Sequence, residues 1–113
     1  MEKKYYKAEL EPDARGFTTF LQVEVLDGKI INALLDGRNK SENPYGEYKS
    51  TSEKYNNDMH AESGTRYVDA VRDLEKQIVQ GKDTLDKVKG ARFISQDANE
   101  LLSKIKKMIT EDN

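Results

Sequence analysis

The stretch "FTTFLQVEVLDGKIINALLD", Phe17 to Asp36, leaves this chain few ways to fold. Thr19, Leu21, Val23 and Val25 alternate with Phe20, Gln22, Glu24 and Leu26, the period of a half-buried strand. Asp27-Gly28 follows, a dipeptide suited to a two-residue turn because both central residues take positive φ. The pattern predicts an antiparallel hairpin. In simple register, Val25 pairs with Ile30, Val23 with Asn32 and Leu21 with Leu34, all on one face. Asn32 is the polar member of that face. Burial there requires a hydrogen-bond partner, either neighbouring backbone or a ligand.

The flanking segments supply the remaining elements. "KYYKAEL" predicts a strand over Lys4 to Leu10, and Pro12 and Gly16 punctuate the turn after it. Gly37 to Ser52 is polar and rich in Gly, Asn and Ser, which predicts a long mobile loop of the kind that often carries function. Ser52 is placed to cap a short helix with Tyr55 and Met59 one turn apart. Thr65 is placed to cap a second helix, with Tyr67, Val68, Val71, Leu74 and Ile78 on one stripe and Gly81 at its end. A short strand is expected near Ala91 to Ile94. Ser95 or Asp97 then caps a final helix whose stripe is Ala98, Leu101, Leu102, Ile105, Met108 and Ile109. Strands first and helices later predict a single α+β domain over residues 1–113, with helices packed on an antiparallel sheet.

Composition narrows the function. A net charge of −2 gives no electrostatic case for nucleic acid. With no cysteine, thiolate catalysis, disulfides and Cys-based metal sites are excluded. The single histidine, His60, falls on an exposed helix with nothing in the sequence to orient it as a catalytic base. The 21 acidic residues lie mostly on polar helix faces or in loops, and no two stand out as an acid–base pair. No apolar run reaches the ~20 residues of a membrane span, so this segment is not expected to insert into a membrane.

One motif carries chemistry. In "DTLDKVKGARFIS", Gly90 sits between Lys89 and Arg92 just before the last helix. A glycine there lets backbone amides approach an anion, and a helix N-terminus adds partial positive charge. Arg92 can grip a phosphate with two parallel bonds. The same pattern also occurs in solvated turns.

Two longer stretches carry a resemblance. "YKAELEPDARGFTTFLQVEVLDGKI" and "YNNDMHAESGTRYVDAVRDLEKQIVQGKDTLDKVKGAR" resemble, in order, the two halves of the small FMN-binding domains of bacteria. Relatives in that family are surface lipoproteins, membrane-associated proteins or subunits of respiratory complexes, and they relay electrons. The family's flavin motif is Asp-x-x-Ser/Thr-Gly-Ala-Thr, with the flavin phosphate esterified to the last threonine. Asp86, Gly90 and Ala91 match that motif. Lys89 replaces the Ser/Thr, and Arg92 replaces the attachment threonine. A guanidinium has no hydroxyl, so the phosphoester route is closed. The resemblance therefore implies reversible FMN binding, with Lys89 and Arg92 holding the phosphate, Asp86 orienting the loop and Asn32 a candidate ring contact. It also implies a redox partner protein and a place at the bacterial cell surface. The alternative is a flavin-free interaction or scaffold domain.

Overall fold

Both turn residues take the φ that the hairpin demands, 52° at Asp27 and 75° at Gly28. They join strand β2 (Phe17–Leu26) to β3 (Lys29–Asn39), and β1 (Lys4–Glu9) pairs antiparallel with the other edge of β2. The computed structural model describes residues 2–40 and 44–112. The hairpin register departs from the simple one at a single point. Val25 still faces Ile30, but a shift at Glu24/Val25 sets Glu24 opposite Asn32, Val23 opposite Ala33 and Leu21 opposite Leu35. Slipping by one residue moves every later side chain to the other face of the sheet. Asn32 therefore lies on the open face, where its amide donates to Glu24 Oε1 at 3.0 Å. Leu35 enters the core, while Leu34 is 42 % exposed.

Helices α1 (Glu53–Ser63), α2 (Tyr67–Val79) and α3 (Arg92–Glu111) complete the α+β fold. Helix α2 packs on β3, and α3 packs on β1 and β2. The core joins Leu21, Val23 and Leu35 of the sheet to Val71, Leu74 and Ile78 of α2 and Leu101, Leu102 and Ile105 of α3. Burying each such side chain contributes about 1.5–3 kcal/mol. Gly81, at φ 87°, ends α2. Its N–H bonds the Ile78 carbonyl and the Lys82 N–H bonds that of Gln77, the paired bonds of a Schellman stop. Among the described residues, no helix is long and apolar enough to cross a membrane.

Two helix starts differ from expectation. Residues Arg92 to Ile94 form the first turn of α3 rather than a strand. Ser95 sits inside the helix, where its hydroxyl donates to Ala91 O at 2.7 Å and accepts from Val88 N–H at 3.0 Å. It ties down the preceding bend instead of capping. Helix α2 is not capped by Thr65 either, because the N-cap position belongs to Arg66. Asn56 of α1 does that work from a distance, its Oδ1 accepting the Val68 N–H at 2.8 Å. Ser52 caps α1 as expected, 3.1 Å from Tyr55 N.

The segment expected as a mobile loop is anchored in its second half. Its residues 41–43 lie outside the described residues. Tyr48 bridges Arg38 of β3, and the Lys49 N–H bonds the Gly37 carbonyl at 2.9 Å. The buried Asp36 carboxylate accepts both the N–H and the hydroxyl of Ser50. The Asn56 amide donates to the carbonyls of Lys49, Ser50 and Ser52 at 2.8–3.2 Å. Asn56 thus joins the loop to two helices. Removing its side chain strands the part-buried Val68 N–H and loosens three buried carbonyls, so Asn56→Ala is expected to cost about 2–4 kcal/mol. Urea denaturation measures this, and a change under about 0.5 kcal/mol contradicts the anchoring role.

Candidate functional site

The anchored loop delivers Lys49 into the molecule. Its side chain is only 9 % exposed and its ammonium lies 3.0 Å from Asp13 Oδ2. Three rings surround the charge, with centroids 5.1 Å (Phe17), 4.9 Å (Tyr55) and 5.5 Å (Tyr67) away. These rings meet one another edge-on, Tyr55 with Phe17 at 5.7 Å and Tyr55 with Tyr67 at 5.5 Å. A cation on ring faces gains about 0.5–2 kcal/mol per contact, more when desolvated. Gly37 makes room for the lysine stem, since a Cβ there would stand 2.8 Å from Lys49 Cδ.

Asp13 is held on three sides. Its Oδ1 accepts the N–H groups of Arg15 and Phe17, and its Oδ2 takes Lys49. Partial burial pushes its pKa up, but the bonds from Phe17, Lys49 and Arg15 outweigh that and hold it below the ordinary carboxylate value. Asp97, across the same space on α3, goes the other way. Burial, helped by the charges of Glu100 and Asp13 and opposed by Lys49, raises it.

Lys49, Asp13, Tyr55 and Tyr67 form the floor of a cleft of about 980 Å³. That is at the upper end of the ~300–1,000 Å³ of small-molecule sites. One wall comes from α1, with Asp58, Met59 and Glu62. The other comes from the bend before α3 and its first turn, with Lys87, Gly90, Ala91, Arg92, Phe93 and Ile94. Phe93 is 71 % exposed, and the Arg92 guanidinium lies 4.9 Å from its ring centroid. Helix α3 has no side-chain cap. The N–H groups of its first three residues, Arg92 to Ile94, therefore have no partner within the helix. The α1 wall is acidic, whereas Lys87 and Arg92 make the bend before α3 cationic, with Asp97 deeper on α3 and Arg15 on the β1–β2 side also lining the cleft; the start of α3 is therefore a corner that favours an anion.

The residues singled out in the sequence separate into two groups. Gly90, Ala91 and Arg92 line the cleft. Lys89 is exposed outside it, while its carbonyl accepts the Thr65 hydroxyl at 2.7 Å, and Lys87 is the bend's other lining cation. Asp86 also lies outside. Its carboxylate pairs with Lys82, and its backbone is clamped by the Gln77 amide. Asn32, on the open face of the sheet, is not part of the cleft. Gly90 has a structural reason to be glycine. Its φ is 77°, and a Cβ would stand 2.6 Å from Thr65 Oγ1 and 2.8 Å from Ser63 O. The bend packs on the α1–α2 turn. The turn at Ser63-Gly64-Thr65 and the Lys89-Gly90-Ala91-Arg92 bend are thus one junction.

Sequence reasoning missed the floor. Lys49 and Asp13 are 36 positions apart and no periodicity links them. The available signal was Gly37, a glycine within a strand, which marks a close approach by another group. Among the described residues, no cluster of three His, Asp or Glu is placed to hold a metal ion.

No family model and no curated protein matches this chain. Two solved structures resemble it. The crystal structure of the CPE2226 protein from Clostridium perfringens is 27 % identical, with a TM-score of 0.87, over 99 % of this chain and 91 % of that one. A solution NMR structure of a protein from Clostridium thermocellum is 21 % identical, with a TM-score of 0.59, over 96 % of this chain and 92 % of that one. The fold is therefore shared with both.

Two predictions follow from this geometry. Gly90→Ala combines unfavourable φ with a clash against backbone and is expected to cost about 2–4 kcal/mol, read by thermal or urea unfolding; a neutral result would mean that the bend and the α1–α2 turn are not packed as described. The second concerns pH. Because the folded pKa of Asp13 is depressed, its stabilisation is present above the unfolded value of about 3.9 and lost as pH falls through the folded value. Asp13→Asn should thus lower the melting temperature at pH 7, and its deficit relative to wild type should shrink below about pH 4. A deficit that stays constant with pH contradicts the charge-based role.

Proposed function

We propose that this cleft binds flavin mononucleotide reversibly and that the protein is a flavin-carrying electron-transfer domain, working with a redox partner protein at the bacterial cell surface. One observation supports this above the others. Three residues at positions of the flavin motif, Gly90, Ala91 and Arg92, line a cleft of a size suited to a nucleotide.

The residues present fit the group. In this reading the phosphate sits at the start of α3, where Arg92 and Lys87 line the cleft and the amides of the first helical turn have no side-chain cap. Each charged hydrogen bond there is worth about 1.5–3 kcal/mol, enough to replace a covalent anchor with reversible binding. The exposed Phe93 ring, with Met59 and Ile94, offers apolar surface for a planar ring system. Bound flavin supplies the electron chemistry, and the chain supplies position, burial and hydrogen bonds.

Equilibrium dialysis against FMN, read by visible absorbance, tests the reading. Wild-type protein should retain flavin. Arg92→Ala should weaken binding by about 10-fold or more, the loss of one charged bond or two. Lys87→Ala should also weaken it, whereas Lys89→Ala should change it little. Absence of binding at high micromolar FMN would assign the fold to the flavin-free interaction role instead.

A further inference from the structure

Helix α3 continues past the anion corner along the cleft. Asp97 lies one turn on from Phe93 and Ile94, so it shares their helix face, and these residues all line the cleft. Asp97 is half-buried. Among the described residues its carboxylate has no hydrogen bond and no ion pair. The other carboxylates of the cleft differ. Asp13 is engaged by Lys49, Arg15 and Phe17, and Asp58 by Lys54. Glu11 and Glu62 are exposed, and water solvates them. Burial raises the pKa of Asp97 first, the charge of Glu100 adds to this, and Lys49 of the floor opposes it. A carboxylate drawn partly out of water without a partner is costly, and a donor on a ligand relieves that cost.

We propose that Asp97 is a specificity-determining acceptor of the cleft, taking hydrogen bonds from hydroxyl groups on the chain that joins the phosphate of the ligand to its ring. This rests on the flavin reading, in which that chain is the ribityl of FMN. The placement follows from the helix. With the phosphate at the amides of Arg92 to Ile94, Asp97 stands one turn, about 5.4 Å, further along the same wall. A ligand lying along the cleft from that corner brings its chain, and not its phosphate, beside Asp97. The cations and helix amides take the anionic end, and Asp97 takes the neutral donors next to it. A carboxylate repels a phosphate but accepts strongly from hydroxyls, so it discriminates a hydroxylated chain from an alkyl one.

The test is a double-mutant cycle between ligand and protein. FMN is compared with an analogue in which an unsubstituted pentyl chain joins the same ring and phosphate, on wild type and on Asp97→Ala. Fluorescence quenching gives the affinities, and thermal unfolding of the ligand-free proteins gives stability. Wild type should bind FMN about 10-fold or more tighter than the pentyl analogue, the worth of one charged hydrogen bond. Asp97→Ala should bind the two alike, within about 2-fold. The cycle cancels the general effect of removing one negative charge near an anion. Arg92→Ala should weaken both compounds equally, and ligand-free Asp97→Ala should melt at the wild-type temperature or higher. If the preference for FMN survives in Asp97→Ala, or wild type shows none, the inference is overturned and the flavin reading stands. If ligand-free Asp97→Ala melts markedly lower, the carboxylate has a structural partner and the inference again fails. If wild type binds neither compound, the reading and the inference fall together.

Discussion

A buried ammonium organises this molecule. Lys49 is held by the Asp13 carboxylate and by the faces of Phe17, Tyr55 and Tyr67. Those groups come from the β1–β2 turn, β2, α1 and α2, so one charge draws together four parts of the fold. A desolvated cation is costly unless it is paired and surrounded by polarisable groups. The protein meets that condition and then fixes the lysine backbone through the Gly37 carbonyl and the Asn56 amide, with Asp36 holding the next residue, Ser50. A loop that composition marks as wet and mobile becomes the support of the cleft floor.

The second constraint is the junction of the α1–α2 turn with the bend before α3. Thr65 bonds the Lys89 carbonyl, and Gly90 fits where no side chain would. This fixes the start of α3 at the cleft, with its unpartnered amides and Arg92 on one side. The glycine singled out in the sequence motif and the glycine of a packing contact are the same residue here. Position in the fold, and not the glycine itself, brings the bend to the cleft.

Much of the architecture was legible because it rests on local periodicity. The alternation of Leu21, Val23 and Val25 in β2 and the stripe from Ala98 to Ile105 each name their buried face directly. The register could not be read, because the irregularity at Glu24/Val25 leaves no mark in the sequence, and Asn32 and Leu34 were consequently assigned to the wrong face. At the site, Gly90, Ala91 and Arg92 were legible as a motif. Lys89 and Asp86 belonged to the same motif, yet one presents only its carbonyl to the junction and the other turns to Lys82. Lys49, Asp13 and Tyr67 were invisible as a set, since their meeting depends on long-range closure rather than spacing. Thr65 was misread for the same reason: its hydroxyl is used across 24 residues instead of within its own helix.

The account's central claim is that the space between α1 and the first turn of α3 is a flavin site. Amide chemical-shift mapping during titration of the labelled protein with FMN addresses it most directly. The account predicts saturable shifts concentrated at Lys87 to Asp97, Tyr55 to Glu62 and Tyr67, with the open sheet face around Glu24 and Asn32 unmoved. Shifts centred on that open face, or none at saturating FMN, would contradict it.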